Sequence, residues 1–422
     1  MVQTALRESS RRLLFASFII GAFALGTSEN VVAGILPDIA HGIGVSEGSA
    51  GLLVTAYAGT VTIAGPLLTM FLDGVRAKRL LIGSIALYLA GSLLAAVSTN
   101  FTEALIARVL TGLVHTTVLV IFMTTAMRLS PPEKQASAAG TITLGLSVAT
   151  VLGVPIGVFL GQHVGWQSAF ALVAALTAIS LATVVATFPA DAERPERAPG
   201  GRLSNLRGLG RPQVVLGVIT TALTGMAALT VVTYVAPFLT DGAGLDSSVI
   251  VWVMLAYGIG CIVGNTIGGR LANRQVVRAM AITVTATLVV LIGLSAWPGN
   301  KVASVALMVL VGLAYFSTFP ALNTWVAKNS EDLSPNLALA LNSSAFNVGI
   351  ALAGWVGSAY LNSDGPVERL PLLATAPAAV AAAVAWYLYT AYGRTRAQQS
   401  AGSDTDADVN SVTRAQTSAS AP

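Results

Sequence analysis

Three ionisable residues stand where the chain is otherwise apolar: Glu29 in ALGTSENVVAGILPDIA, and Arg108 and His115 in ARVLTGLVHTTVLVIF. A carboxylate, a fixed cation and an imidazole at adjacent depths can hold, release and pass a proton. Arg108 and His115 stand at i and i+7, so on a helix they share a face with Gly112 between them. Ala22, Gly26, Glu29 and Ala33 form one small-residue stripe at helical spacing, which turns Glu29 toward a close neighbour or a cavity. At a rise of about 1.5 Å per residue, Glu29 lies roughly 26 Å from Arg12 and roughly 14 Å from Asp38. Arg108 is expected to reach the level of Glu29 as its partner. The alternative is a static ion bridge that joins the first and fourth spans.

These residues need helices in a non-aqueous solvent to position them. The 422 residues are 54% hydrophobic and only 10% charged, with a mean hydropathy of +0.74. That is too apolar for a water-soluble globular chain, so the fold class is an all-α integral membrane protein. Windows of about 20 residues predict spans near 13–36, 49–72, 80–98, 103–127, 136–160 and 166–187. A second set follows near 213–238, 248–271, 277–297, 302–326, 336–361 and 370–391. Arg7, Arg11 and Arg12 ahead of an apolar stretch imitate a secretory signal, but the stretch runs past signal length and eleven more spans follow it. Of the 23 Lys and Arg, 20 fall in the termini and in alternate loops. The positive-inside rule therefore predicts both termini in the cytoplasm. Arg outnumbers Lys 19 to 4, a bias found in GC-rich bacterial genomes. The expected organisation is a cytoplasmic N-terminus (1–12), a six-helix bundle (13–187), a solvated linker (188–212), a second six-helix bundle (213–392) and a disordered cytoplasmic tail (393–422).

The two sets echo each other. GPLLTMFLDGVRAKR ends the second span and GNTIGGRLANRQVVR the eighth, which puts Asp73 and Asn273 in corresponding places and sets Lys78, Arg79 and Arg274 beside them. Gly153 and Gly157 are matched by Gly354 and Gly357 at nearly the same offset. Internally repeated six-helix units are how many secondary transporters are built, with a site between the halves near the bilayer midplane. Close helix packing alone also uses glycines at this spacing. Tyr57, Tyr234, Asn323, Asn342 and Asn347 are candidate cavity residues, although polar side chains in bundles also join helices. Cys261 is the single cysteine, so no internal disulfide or cysteine metal site is expected. No cofactor, metal or nucleic-acid partner is expected. No Gly-x-x-x-x-Gly-Lys loop and no reactive Ser, His or acid constellation appears, which disfavours an ATP-driven pump and an enzyme. A channel is disfavoured by the repeat and by the lone embedded acid.

GTSENVVAGILPDIA resembles the first-span signature of the twelve-span drug:proton antiporters of the major facilitator superfamily. ARVLTGLVH is similar to their fourth-span motif, whose Arg serves proton coupling. LGVPIGVFLGQHVGWQSAF resembles the fifth-span exporter motif, carried here by Gly153, Pro155, Gly157 and Gly161. Within the superfamily the chain looks like the chloramphenicol-type and arabinose-type exporters. The resemblance implies two pseudo-symmetric six-helix bundles and alternating access. It also implies a gating role for Asp73, Lys78, Arg79, Asn273 and Arg274. The loop departs from the usual Gly-x-x-x-Asp-Arg-x-Gly-Arg-Lys at Thr69, Gly74 and Arg76, and Gln167 stands where an Arg is usual after Gly-Trp. The expectation is a monomeric bacterial inner-membrane exporter of a small drug-like compound, driven by protons. Efflux of a sugar or other small metabolite is the alternative.

Overall fold

The computed structural model describes residues 8–71, 76–131, 134–188, 210–330 and 335–393. Asp73 and Gly74, most of the expected linker and nearly all of the expected tail lie outside them. Twelve helices are long and apolar enough to cross a membrane. They are α1 (Glu8–Gly34), α2 (Glu47–Gly65), α3 (Ala77–Val97), α4 (Phe101–Arg128), α5 (Ser137–Val164), α6 (Gln167–Thr187), α7 (Pro212–Thr233), α8 (Val249–Arg274), α9 (Val276–Ala296), α10 (Lys301–Asn329), α11 (Leu341–Leu361) and α12 (Val367–Tyr392). Each expected span is matched by one of these helices. A difference lies at the end of the first: it stops at Gly34, and Leu36–Ile43 forms a separate short helix with Pro37 in its first turn. Proline disfavours helical backbone in the residue before it and lacks the amide a continuing helix would use. Asp38 therefore belongs to this short helix, where burial pushes its carboxyl above the usual range.

Local signals set several starts. Asn100 accepts the Glu103 amide at 3.0 Å to begin α4, and Asn300 accepts the Ala303 amide at 3.0 Å to begin α10. Helix α5 contains a π-helical turn at Ala149–Gly153, just ahead of Pro155.

Helices α1–α6 and α7–α12 form two bundles. Arg11, Arg12, Lys78, Arg79, Arg211, Arg270, Arg274 and Lys328 mark one end of the molecule, the basic face. At the opposite end a single apolar core runs through both bundles, from Val31, Ile35 and Ala50 to Val235, Phe238 and Ile350. Toward the basic face each bundle has its own core, Leu14 to Phe188 in the first and Val214 to Leu388 in the second.

The bonds between bundles follow the same gradient. Gln162 Nε2 donates to the Ser247 carbonyl at 2.8 Å, Ser46 Oγ to Asn362 Oδ1 at 2.6 Å, and Thr55 Oγ1 to the Ala351 carbonyl at 3.1 Å. All three lie at mid-depth or nearer the opposite face. Gly258 of α8 packs on the backbone of Thr150 and Val151, whereas Gly59, Gly140 and Gly269, farther toward the basic face on the same seams, have open space beside them. The bundles are sealed at the opposite face and splayed at the basic one.

Candidate functional site

A central pocket lies where the seal ends. From the first bundle it is lined by Glu29, Asn30 and Ala33 of α1, Val54 of α2, and Thr150 and Val154 of α5. From the second come Leu229, Val232 and Thr233 of α7, Met254 and Tyr257 of α8, Tyr315 and Phe316 of α10, and Phe346 and Ile350 of α11. Glu29 is the only carboxylate in this lining, as its small-residue stripe predicts. Asn30 was not singled out in the sequence. Its Nδ2 donates to the Gly26 carbonyl at 2.9 Å, leaving its amide oxygen free to face a solute.

Arg108 and His115 stand behind this wall, inside the first bundle. Arg108 is 2% exposed, yet among the described residues no carboxylate approaches it within 4.0 Å. The expected contact with Glu29 is not made. The guanidinium instead donates from Nη1 to the Ser28 carbonyl at 2.8 Å and to the Ser28 hydroxyl at 3.3 Å, and from Nε to the Leu53 carbonyl at 3.3 Å. It also lies over the Tyr57 ring, 4.0 Å from its centroid. Its Nη2 is buried without a partner. Arg108 thus binds the residue preceding Glu29, and Glu29 points from the next position into the pocket. The Tyr57 hydroxyl is 2.6 Å from His115 Nδ1, so Tyr57 links the cation to the imidazole.

Tyr57 is consequently not a cavity residue. It is 1% exposed and faces its own bundle. None of the other four candidates lines the pocket either. Tyr234 is fully buried and donates to the Gly354 carbonyl at 2.8 Å. Asn342 accepts from Thr221 at 2.6 Å and donates to Asn323 at 2.7 Å, which joins α7, α10 and α11. Asn347 is 5% exposed and donates to the Ser343 carbonyl one turn away. Polar side chains in lipid satisfy one another across helices, and Tyr234, Asn323 and Asn342 do so, whereas Asn347 bonds only within its own helix and its amide oxygen is buried without a partner. The residues that do line the second-bundle wall are mainly aromatic and apolar. A Tyr or Phe inside a span carries no signal that separates a ligand wall from ordinary packing.

The remaining expected residues fall outside the pocket. Gly153 and Gly157 press α5 onto Thr27 and Val31 of α1, and Gly161 presses it onto Ile35 just beyond the end of α1, with Pro155 buried beside them. Lys78 Nζ donates to the Phe188 carbonyl at 2.7 Å, where a cation meets the carbonyl end of α6. Arg79, Asn273 and Arg274 are exposed at the basic face. His41 and His163 sit at the opposite end. Among the described residues no group of acids, His and Cys could hold a metal ion.

Two helical bundles sealed at one end, splayed at the other and enclosing one acid-bearing pocket define a multi-pass carrier. The chain belongs to the Major Facilitator Superfamily, whose profile matches residues 18–335. It is 31% identical over 364 residues to the inner membrane transport protein YdhP of Escherichia coli (strain K12), covering 86% of this chain and 92% of that one. It is likewise 31% identical over 343 residues to a chloramphenicol resistance protein of Streptomyces lividans, covering 81% and 87%. The fold is similar to the crystal structure of a bacterial homolog of the human lysosomal transporter Spinster, with a TM-score of 0.73 and 15% identity over 90% of this chain and 97% of that one. The protein is a transporter rather than an enzyme, within the branch that the span motifs indicated.

Proposed function

We propose that the chain exports a small drug-like or antibiotic compound in exchange for protons across the bacterial cytoplasmic membrane. Both termini and the basic face lie in the cytoplasm, the protein works as a monomer, and the proton gradient is its only energy source. The observation that carries this reading is the placement of Glu29: it opens onto the pocket while a buried cation is held one residue behind it. A carboxylate there can carry a proton or accept a hydrogen bond from a solute, and each excludes the other. Proton binding from outside then releases the solute, and proton loss inside readies the site again. Arg108, with one nitrogen unpartnered, is positioned to take up the Glu29 carboxylate in the other access state, and His115 and Tyr57 hold it ready meanwhile. The likeness to a chloramphenicol resistance protein supports both an antibiotic-like cargo and outward movement. A wall of aromatic and apolar side chains suits a drug-like ring better than a sugar, the second reading.

The test uses inside-out vesicles with an acidified interior. Chloramphenicol should accumulate in them, an uncoupler should abolish the uptake, and Glu29→Gln should abolish it in protein that still inserts. Full uptake by Glu29→Gln, or uptake that survives the uncoupler, would overturn proton exchange at this site.

A further inference from the structure

The two bundles repeat with a constant offset, and the repeat relates the proton cluster to the pocket wall. Tyr57, Gly112 and His115 of the first bundle correspond, at 200 positions farther on, to Tyr257, Gly312 and Tyr315 of the second. The correspondence is spatial as well. A Cβ at Gly112 would lie 2.7 Å from the Tyr57 carbonyl, and one at Gly312 would lie 2.7 Å from the Tyr257 carbonyl. By the same offset Arg108 becomes Met308 and Glu29 becomes Leu229. The second bundle therefore has the frame of the cluster without its charge.

Its counterpart residues face the pocket instead of being sealed behind a wall: Tyr257 and Tyr315 both line it. Tyr315 is 2% exposed, and its hydroxyl is buried without a hydrogen-bond partner. Its ring lies 6.3 Å from Phe346 in a stacked arrangement and 5.5 Å from Phe316 edge-on. A buried O–H that donates to nothing costs free energy unless a ligand completes it.

We infer that the aromatic residues on the second-bundle side of the pocket bind a ring carrying a hydrogen-bond acceptor, with Tyr315 as the donor. The inference rests on the proposed reading of the pocket as the transport site. The ring stacks among Tyr315, Phe316 and Phe346. A hydroxyl or amide donor at the other end of the compound reaches ionised Glu29 across the pocket.

The experiment measures binding by calorimetry to the full chain in lipid nanodiscs, with no gradient. The probes are chloramphenicol, whose ring bears a nitro acceptor, and its analogue with ethyl in place of nitro. Tyr315→Phe keeps the ring and should weaken chloramphenicol about tenfold while leaving the analogue within about twofold. Because the hydroxyl has no partner to lose, Tyr315→Phe should not lower the thermal midpoint of the ligand-free protein, as loss of a structural hydrogen bond would. Phe346→Ala should weaken both probes about tenfold. Equal losses for the two probes in Tyr315→Phe, no loss for either, or no binding of chloramphenicol to the unmodified chain would each overturn the inference. Should these fail while vesicle uptake of another solute still needs Glu29, the proton-exchange reading stands without this one.

Discussion

Gly258 offers the most direct handle on the access equilibrium. A Cβ built there would lie 2.8 Å from the Thr150 carbonyl oxygen and 2.8 Å from Val151 Cα, against 3.4–4 Å for ordinary contact. Both are backbone atoms of α5, so no rotamer change relieves the clash, and Gly258→Ala must part α5 from α8 by a few tenths of an ångström. Overpacking of this kind costs about 1–3 kcal/mol. The cost falls only on the state in which the opposite face is closed, so it shifts the closed-to-open ratio roughly 5- to 150-fold. The closed seam can be reported by Gln162→Cys paired with Ser247→Cys, which replaces a hydrogen bond of 2.8 Å, in a background where the single cysteine is removed by Cys261→Ser. Cross-linking of the pair should fall in Gly258→Ala. Gly269→Ala is the control, since it lies on the same seam with nothing within 4 Å of a new Cβ. Unchanged cross-linking in Gly258→Ala, or an equal fall in Gly269→Ala, would refute the assignment of this seam as the closing surface.

Three further outcomes are expected. Asn342→Ala removes a buried joint between α7, α10 and α11 and should destabilise the protein by about 1–2 kcal/mol, read as a lower midpoint of thermal unfolding; an unchanged midpoint would mean that the joint contributes nothing. Hydrogen bonds from the Ser248 hydroxyl and amide hold the Asp246 carboxyl below the usual range, so the stability it confers is present above its unfolded value and is lost as pH falls through the lowered folded one. Unfolding of Asp246→Ala and of the unmodified chain, compared across the acid range, should converge only at the acid end; a constant gap would count against the assignment. Reporter fusions at residues 200 and 400 should read cytoplasmic and one near residue 243 external, and a cytoplasmic reading at 243 would overturn the topology.

The spans were legible because hydrophobic length is a one-dimensional property, and the repeat was legible because Asp73 and Asn273 sit in similar words. The site was legible only in depth. Helical rise placed Glu29, Arg108 and His115 at adjacent levels, but rise says nothing about which way a side chain turns. Arg108 found acceptors in Ser28 and Leu53 without reaching the carboxylate one residue on. The stripe argument succeeded for Glu29 because three small neighbours fix its direction. No such stripe constrained the long guanidinium.

The choice of cavity residues failed for a reason that applies to membrane bundles generally. Where no water is available, an Asn or Tyr that finds a partner across a helix interface is stabilised by leaving the cavity. Asn342 and Asn323 bond each other, and Tyr57 and Tyr234 are taken up by His115 and by the Gly354 carbonyl. Polarity in the sequence therefore marks the joints of this protein more than its pocket. The informative polar group is the one that the bundle leaves unsatisfied. Among several such groups, Tyr315 is the one that lines the pocket, and in the sequence it looks no different from Tyr57. Only the offset of the repeat separates them: the first tyrosine keeps a histidine and an arginine for company, while the second stands where the histidine would be, beside a methionine in place of the arginine. Both halves share the same frame, and the one that lacks the buried charges turns its aromatic residues toward the pocket.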